Sequence, residues 1–243
     1  MSPIPSTHLK HVLSLQLIPA SVLIVMASHT CFAQRAVMPE PASAGIGRRS
    51  LPHTVDVDAE SLGVAAANVM ASFHVPGGII LMKDCSAPQA RSFTLPRGTT
   101  LKEALDVLVR EFGGRVTVRS GFIDIWSNAD TPPLLRTRIQ SLEWRRSSAA
   151  GSVFGRIRDL PELSLRAREL GLESAPLQGG ATAIRMGTPY LEPAETGELL
   201  RLENTTFLDA LNSLAVSKGS MVWEYVESVC ESSRTWTVDL PVH

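Results

Sequence analysis

Histidine is scarce in this chain of 243 residues, and beyond residue 33 only His53, His74 and His243 remain. No two of them stand four residues apart, the spacing that sets two ligands on one helix face, so zinc is not supported. Net charge is nearly absent too. A formal charge of -1 and a pI near 6.6 give no global attraction to nucleic acid or anionic membrane. A Gly-x-Ser-x-Gly elbow and a phosphate-cradling Gly-Lys-Ser/Thr loop are also missing, which removes two common signatures of hydrolases and nucleotide enzymes. Gly77-Gly78, Gly113-Gly114 and Gly179-Gly180 read as turns, and no residue set calls for a cofactor. Against these absences stand 44% hydrophobic and 19% charged residues, enough apolar material for the cores of one or two domains.

The single long apolar run, Val12 to Ala27, follows His8, Lys10 and His11 and leads to Cys31-Phe32-Ala33 before Gln34. Small residues at the positions a signal peptidase reads predict a signal peptide over 1–33, cleaved after Ala33. A retained anchor is the alternative, but Ser14, Gln16 and Pro19 interrupt a run shorter than the ~20 apolar residues a bilayer needs. The mature chain is therefore expected in the periplasm or elsewhere in the cell envelope, without an integral membrane segment. Cleavage removes Cys31 and leaves Cys85 and Cys230 in an oxidising compartment. They either bridge or lie unpaired in separate modules. A bridge closing so long a loop would contribute on the order of 4–5 kcal/mol in the chain-entropy model.

Residues 34–53, rich in Pro, Ala, Gly and Ser, read as a flexible lead-in. Val55 and Val57 then alternate with Asp56 and Asp58 as a short strand, and Leu62, Ala65, Ala66, Val69, Met70 and Phe73 recur at helical spacing. Pro76-Gly77-Gly78 stops that helix, and Ile79-Ile80-Leu81-Met82 reads as a buried strand. After a strand at Phe93 and Leu95, Thr100 stands three residues before Glu103, the reciprocal capping spacing, and Leu101, Ala104, Leu105, Leu108 and Val109 form one stripe. Val116 and Val118, then Ile123 and Ile125, flank Ser120-Gly121 as a hairpin. The pattern returns near the C-terminus. Thr100 to Leu108 lies over Thr206 to Leu214, with Val116 falling on Val222, and a longer hairpin carries Cys230 near its tip.

The stretch Val55 to Trp126 resembles the short N-terminal domain shared by secretins and TonB-dependent signalling receptors. The likeness is carried by Val55-Asp56-Val57, Leu62, Gly77-Gly78-Ile79-Ile80, Phe93, Leu95, Thr100-Leu101-Lys102-Glu103-Ala104-Leu105, Leu108 and Ile123-Asp124-Ile125. It covers under a third of the chain directly, extended by the half-match from Leu199 to Val238. No secretin ring region, barrel strands or receptor domain follow, so a pore or transport role is not implied. The resemblance implies a periplasmic interaction module of Gram-negative type, with an envelope protein as partner.

Residues 129–198 depart from that pattern and read as a helical, Arg-rich connecting segment. Ser148 is expected to cap a helix through Ala149, Val153, Phe154, Ile157 and Leu160 that Pro161 ends. Arg136, Arg138, Arg145, Arg146, Arg156 and Arg158 form a candidate interaction face for an acidic partner or anionic polymer, with a merely solvated helix face as the alternative. Nucleic acid is disfavoured by the export signal. Asp56 with Asp58 and Glu103 with Asp106 are the only carboxylate pairs of note, better explained by a helix start and an exposed side than by catalysis. Trp126, Trp144, Trp223, Trp236 and Tyr225 suit a stacking surface or, more commonly, strand packing. The expected architecture is α+β: an N-terminal βαβ-βαββ module over 54–128 and a second strand-helix-hairpin module over 199–243. The expected function is non-catalytic protein–protein interaction, against an envelope hydrolase or glycan-binding protein whose site is assembled from distant residues.

Overall fold

The computed structural model describes residues 49–84, 90–119, 121–128, 130–175, 197–230 and 233–241. The leader over 1–33, Cys85 and Gly179-Gly180 lie outside the described residues. The fold is α+β. Its first half runs β1 (Val55–Ala59), α1 (Leu62–Ser72), β2 (Gly77–Asp84), β3 (Arg91–Leu95), α2 (Leu101–Phe112), β4 (Arg115–Arg119) and β5 (Phe122–Trp126). Helix α2 begins where the capping spacing put it: Thr100 Oγ1 accepts from the Glu103 amide at 3.3 Å, and Glu103 Oε2 accepts from the Thr100 amide at 2.7 Å.

The second half runs from a 3-10 turn (Pro133–Arg136) through β6 (Arg138–Arg145), α3 (Ala150–Arg158), α4 (Pro161–Glu169), β7 (Glu173–Ser174), β8 (Leu199–Thr206), α5 (Phe207–Ser217), β9 (Val222–Cys230) and β10 (Ser233–Asp239). Residues 129–198 are thus more than a connector. They supply β6, which pairs with β8, and β7, which pairs with β10. Two details of the sequence reading also change. Ser148 Oγ accepts from the Arg145 amide instead of capping a helix, and Pro161 opens α4 at its first turn, where its missing amide costs nothing.

Both halves carry the same pairing. β1 is antiparallel to β3 as β6 is to β8, while β4-β5-β2 matches β9-β10-β7, each with one antiparallel and one parallel neighbour. The triplets join through a parallel β2–β9 ladder into one six-stranded sheet, ordered β4-β5-β2-β9-β10-β7. Because β2 is parallel to β9, whereas within its own half β2 is antiparallel to β4, the second triplet runs opposite to the first. A half-turn about an in-plane axis across the strands, combined with a shift of three strands along that axis, relates them.

That half-turn also swaps the faces. Ile79 and Leu81 of β2 join a core with Val57, Leu95, α1, α2, Ile123 and Ile125; Ile80, between them, joins the other core with Trp144, α3, α4, α5, Trp223, Tyr225 and Trp236. A strand buried on both faces explains why β2 reads as a continuous apolar run and not as an alternation.

Candidate functional site

The shared sheet ends in two unlike edges. At one end β7 is a two-residue strand whose Glu173 and Ser174 are exposed. At the other, β4 pairs with β5 on one side and has no strand on its other side among the described residues. β4 forms because Gly113 and Gly114, both at positive φ, turn the chain out of α2 and back along the sheet. Its alternation sends Val116 and Val118 toward α2, and Val118 is 59% exposed. Between α2 and this edge lies a groove of about 500 Å³ whose apolar lining is Leu101, Leu105, Val109, Val116 and Val118. Lys102 and Asp106 pair at 2.5 Å on the groove's helical wall. On the other face of β4, Arg115 lies over the Trp126 ring at 4.2 Å.

The equivalent place in the second half is filled. There β9 follows α5 as β4 follows α2, and β2 lies along β9 through eight registered pairs, Gly77–Val222 to Asp84–Val229. The helices align as the sequence indicated, Thr206 capping α5 through Asp209 at 3.1 Å, but the strands do not. Trp223 and Tyr225 face α5, so Val116 corresponds to Trp223 and not to Val222. Counted from the capping residues Thr100 and Thr206, the chain reaches the equivalent strand position one residue later in the second half. On β2, Gly78 sits opposite Trp223, where a Cβ would collide with the indole.

Behind this junction is a buried polar chain that the sequence reading missed. Trp223 Nε1 donates to Asn212 Oδ1 at 3.0 Å, and Asn212 Nδ2 donates to Asp124 Oδ2 at 3.3 Å. Burial pushes the Asp124 carboxyl up to about 7, opposed by the Asn212 hydrogen bond and the positive charge of Arg119. A second buried acid, Glu227, accepts from Tyr225 Oη and from Arg234, each at 3.1 Å. Burial and the Glu227 carboxylate push the Tyr225 phenol up. The one available signal for Asp124 was its place between Ile123 and Ile125, but an acid in an alternating strand reads as solvent-facing until a second half covers that face.

The six candidate arginines are dispersed over the 3-10 turn, β6, the turn after β6 that holds Arg146, and α3. Arg136 is exposed on the 3-10 turn, and Arg138 and Arg145 stand at opposite ends of β6. Arg138 donates to Asn204 Oδ1 at 2.7 Å, Arg145 to the Gly197 carbonyl at 3.0 Å, and Arg146 pairs with Glu198 at 3.0 Å. Arg156 is exposed on α3. Arg158 donates to Ser174 Oγ and to the Ala175 carbonyl, both at 2.6 Å, beside a hollow of about 410 Å³ that Ser164, Arg168 and Trp236 also line. All four tryptophans are buried in packing, so they offer no stacking surface. Asp56 and Asp58 accept from Thr94 and Ser92 across the β1–β3 ladder, while Glu103 is in its cap and Asp106 on Lys102.

Cys230 is disulfide-bonded, and the β2–β9 ladder ends with Asp84 opposite Val229, one residue before Cys85 and Cys230 in sequence. Among the described residues no three His, Cys, Asp or Glu side chains gather as a metal set, and no helix is long and apolar enough to cross a membrane. Comparison with family models, with curated proteins and with solved structures found no match.

Proposed function

We propose that this chain is a non-catalytic protein–protein interaction module of the cell envelope that takes up partners by strand addition at β4. The observation that carries this reading is the β4 edge itself: a row of backbone donors and acceptors beside an apolar groove. The envelope setting rests on the expected leader over 1–33, on the disulfide at Cys230 and on the resemblance to secretin and TonB-receptor short N-terminal domains.

Site-specific photo-crosslinking in the native host tests it. A benzophenone amino acid at Thr117 of β4 should give discrete adducts with another envelope protein. The same group at the exposed Thr94 of β3 should not. Adducts equally abundant at both positions, or absent from both, would count against the reading.

A further inference from the structure

We infer that the segment β4 receives runs parallel to it and sets bulky apolar side chains, Leu, Ile or Phe in character, into the α2/β4 groove. The inference rests on the strand-addition reading above and specifies its ligand. The template is inside the molecule. In the second half, the strand that follows the capped helix already has an added neighbour, β2, and the two run parallel. The half-turn relating the halves carries that polarity onto β4: a neighbour at the corresponding place starts near Arg115 and ends near Arg119.

Steric complementarity fixes the chemistry. In the filled site β9 supplies the bulk, Trp223 and Tyr225, and β2 supplies Gly78 and Ile80 opposite them. In the open site β4 supplies only Val116 and Val118, and the indole-sized deficit is where the hollow of about 500 Å³ lies. The incoming segment must therefore bring the bulk that β4 lacks, at two positions of the same parity. Lys102 is paired with Asp106 on the helical wall, and Arg115, which also borders the groove, stacks its guanidinium on Trp126. The β7 edge of a second copy is a poor guest, because its described residues, Glu173 and Ser174, are small or charged.

The test is selection of peptides against the full mature chain from a displayed library of random ten-residue peptides, followed by titration of the winners as synthetic peptides. Winners should carry bulky apolar residues two apart, and Val118→Lys should weaken them about tenfold or more, since it sets a charge where the guest would bury apolar surface. Val116→Trp, which copies Trp223 into the open site, should shift the preference at one of those positions from bulky to Gly. Thermal unfolding of both variants verifies that they fold. A benzophenone at the peptide N-terminus should mark Gly114 to Val116. Marking at Arg119 instead, or winners with small or polar residues at both positions, would overturn the inference while leaving strand addition at β4 intact. Failure to enrich any peptide over the Val118→Lys variant would overturn both. Self-association of the wild type lost in Val118→Lys would give the edge to a second copy and likewise overturn the inference.

Discussion

Asp124 lies on the face of β5 that would meet water if the first half stood alone, and the second half seals it. Its carboxyl, raised from 3.8 to about 7, holds in the folded state a proton that the unfolded chain releases. The associated stability is fully present below about pH 4 and is lost as pH rises to 7 and beyond, a change of about 4 kcal/mol at ~1.4 kcal/mol per unit. Asp124→Asn removes that titration and retains an acceptor for Asn212, so thermal unfolding should show the variant more stable than wild type at pH 8 and similar at pH 4. A difference that does not vary with pH would refute the assignment. Glu224, also raised by burial, leaves a residual slope of the same sign in the variant. At Gly78 the constraint is steric. Gly78→Val drives a branched side chain into Trp223 and should cost about 3 kcal/mol, read as a lower urea midpoint.

At the level of elements, the capped helices and the two hairpins announced themselves, whereas α4 and the pairings beyond the hairpins did not. α2 and α5 were legible because a Thr cap, an acid three residues on and one apolar stripe all point to the same start and the same buried face. Thr206→Ala should cost about 1 kcal/mol of unfolding free energy by losing one such cap. Val118→Lys, on an exposed strand position, should leave the unfolding midpoint within experimental error. β6 was not legible. Its buried residues, Ile139, Leu142 and Trp144, break the two-residue period at Gln140, whose amide donates to Glu162 of α4 at 3.1 Å while Asn204 on β8 adopts φ 48. A strand whose alternation slips, written among arginines, looks like a polar connector. The one-residue offset between Val116 and Trp223 was hidden for a related reason: a matched helix fixes the register only as far as the next turn.

For the whole molecule, α+β class and similarity of the two halves were readable, yet their fusion into one sheet was not, because an edge that accepts a partner carries no local mark. The nearest hint was Ile79-Ile80-Leu81-Met82, too continuously apolar for a strand with one wet face. Peptide mapping without reductant should find Cys230 linked to Cys85. Reduction should then lower stability by on the order of 4–5 kcal/mol, less any strain released. If Cys230 is recovered linked to Cys31 instead, cleavage after Ala33 is also wrong. The β2–β9 ladder has a further consequence, for the order of events during synthesis. The first half is complete in the nascent chain by Trp126, but the strand that closes its sheet is not made until Val222 to Cys230. From the completion of β2 until Val222 to Cys230 are made, β2 therefore has a bare margin, and whatever attends the growing chain has to keep that margin from the wrong neighbour.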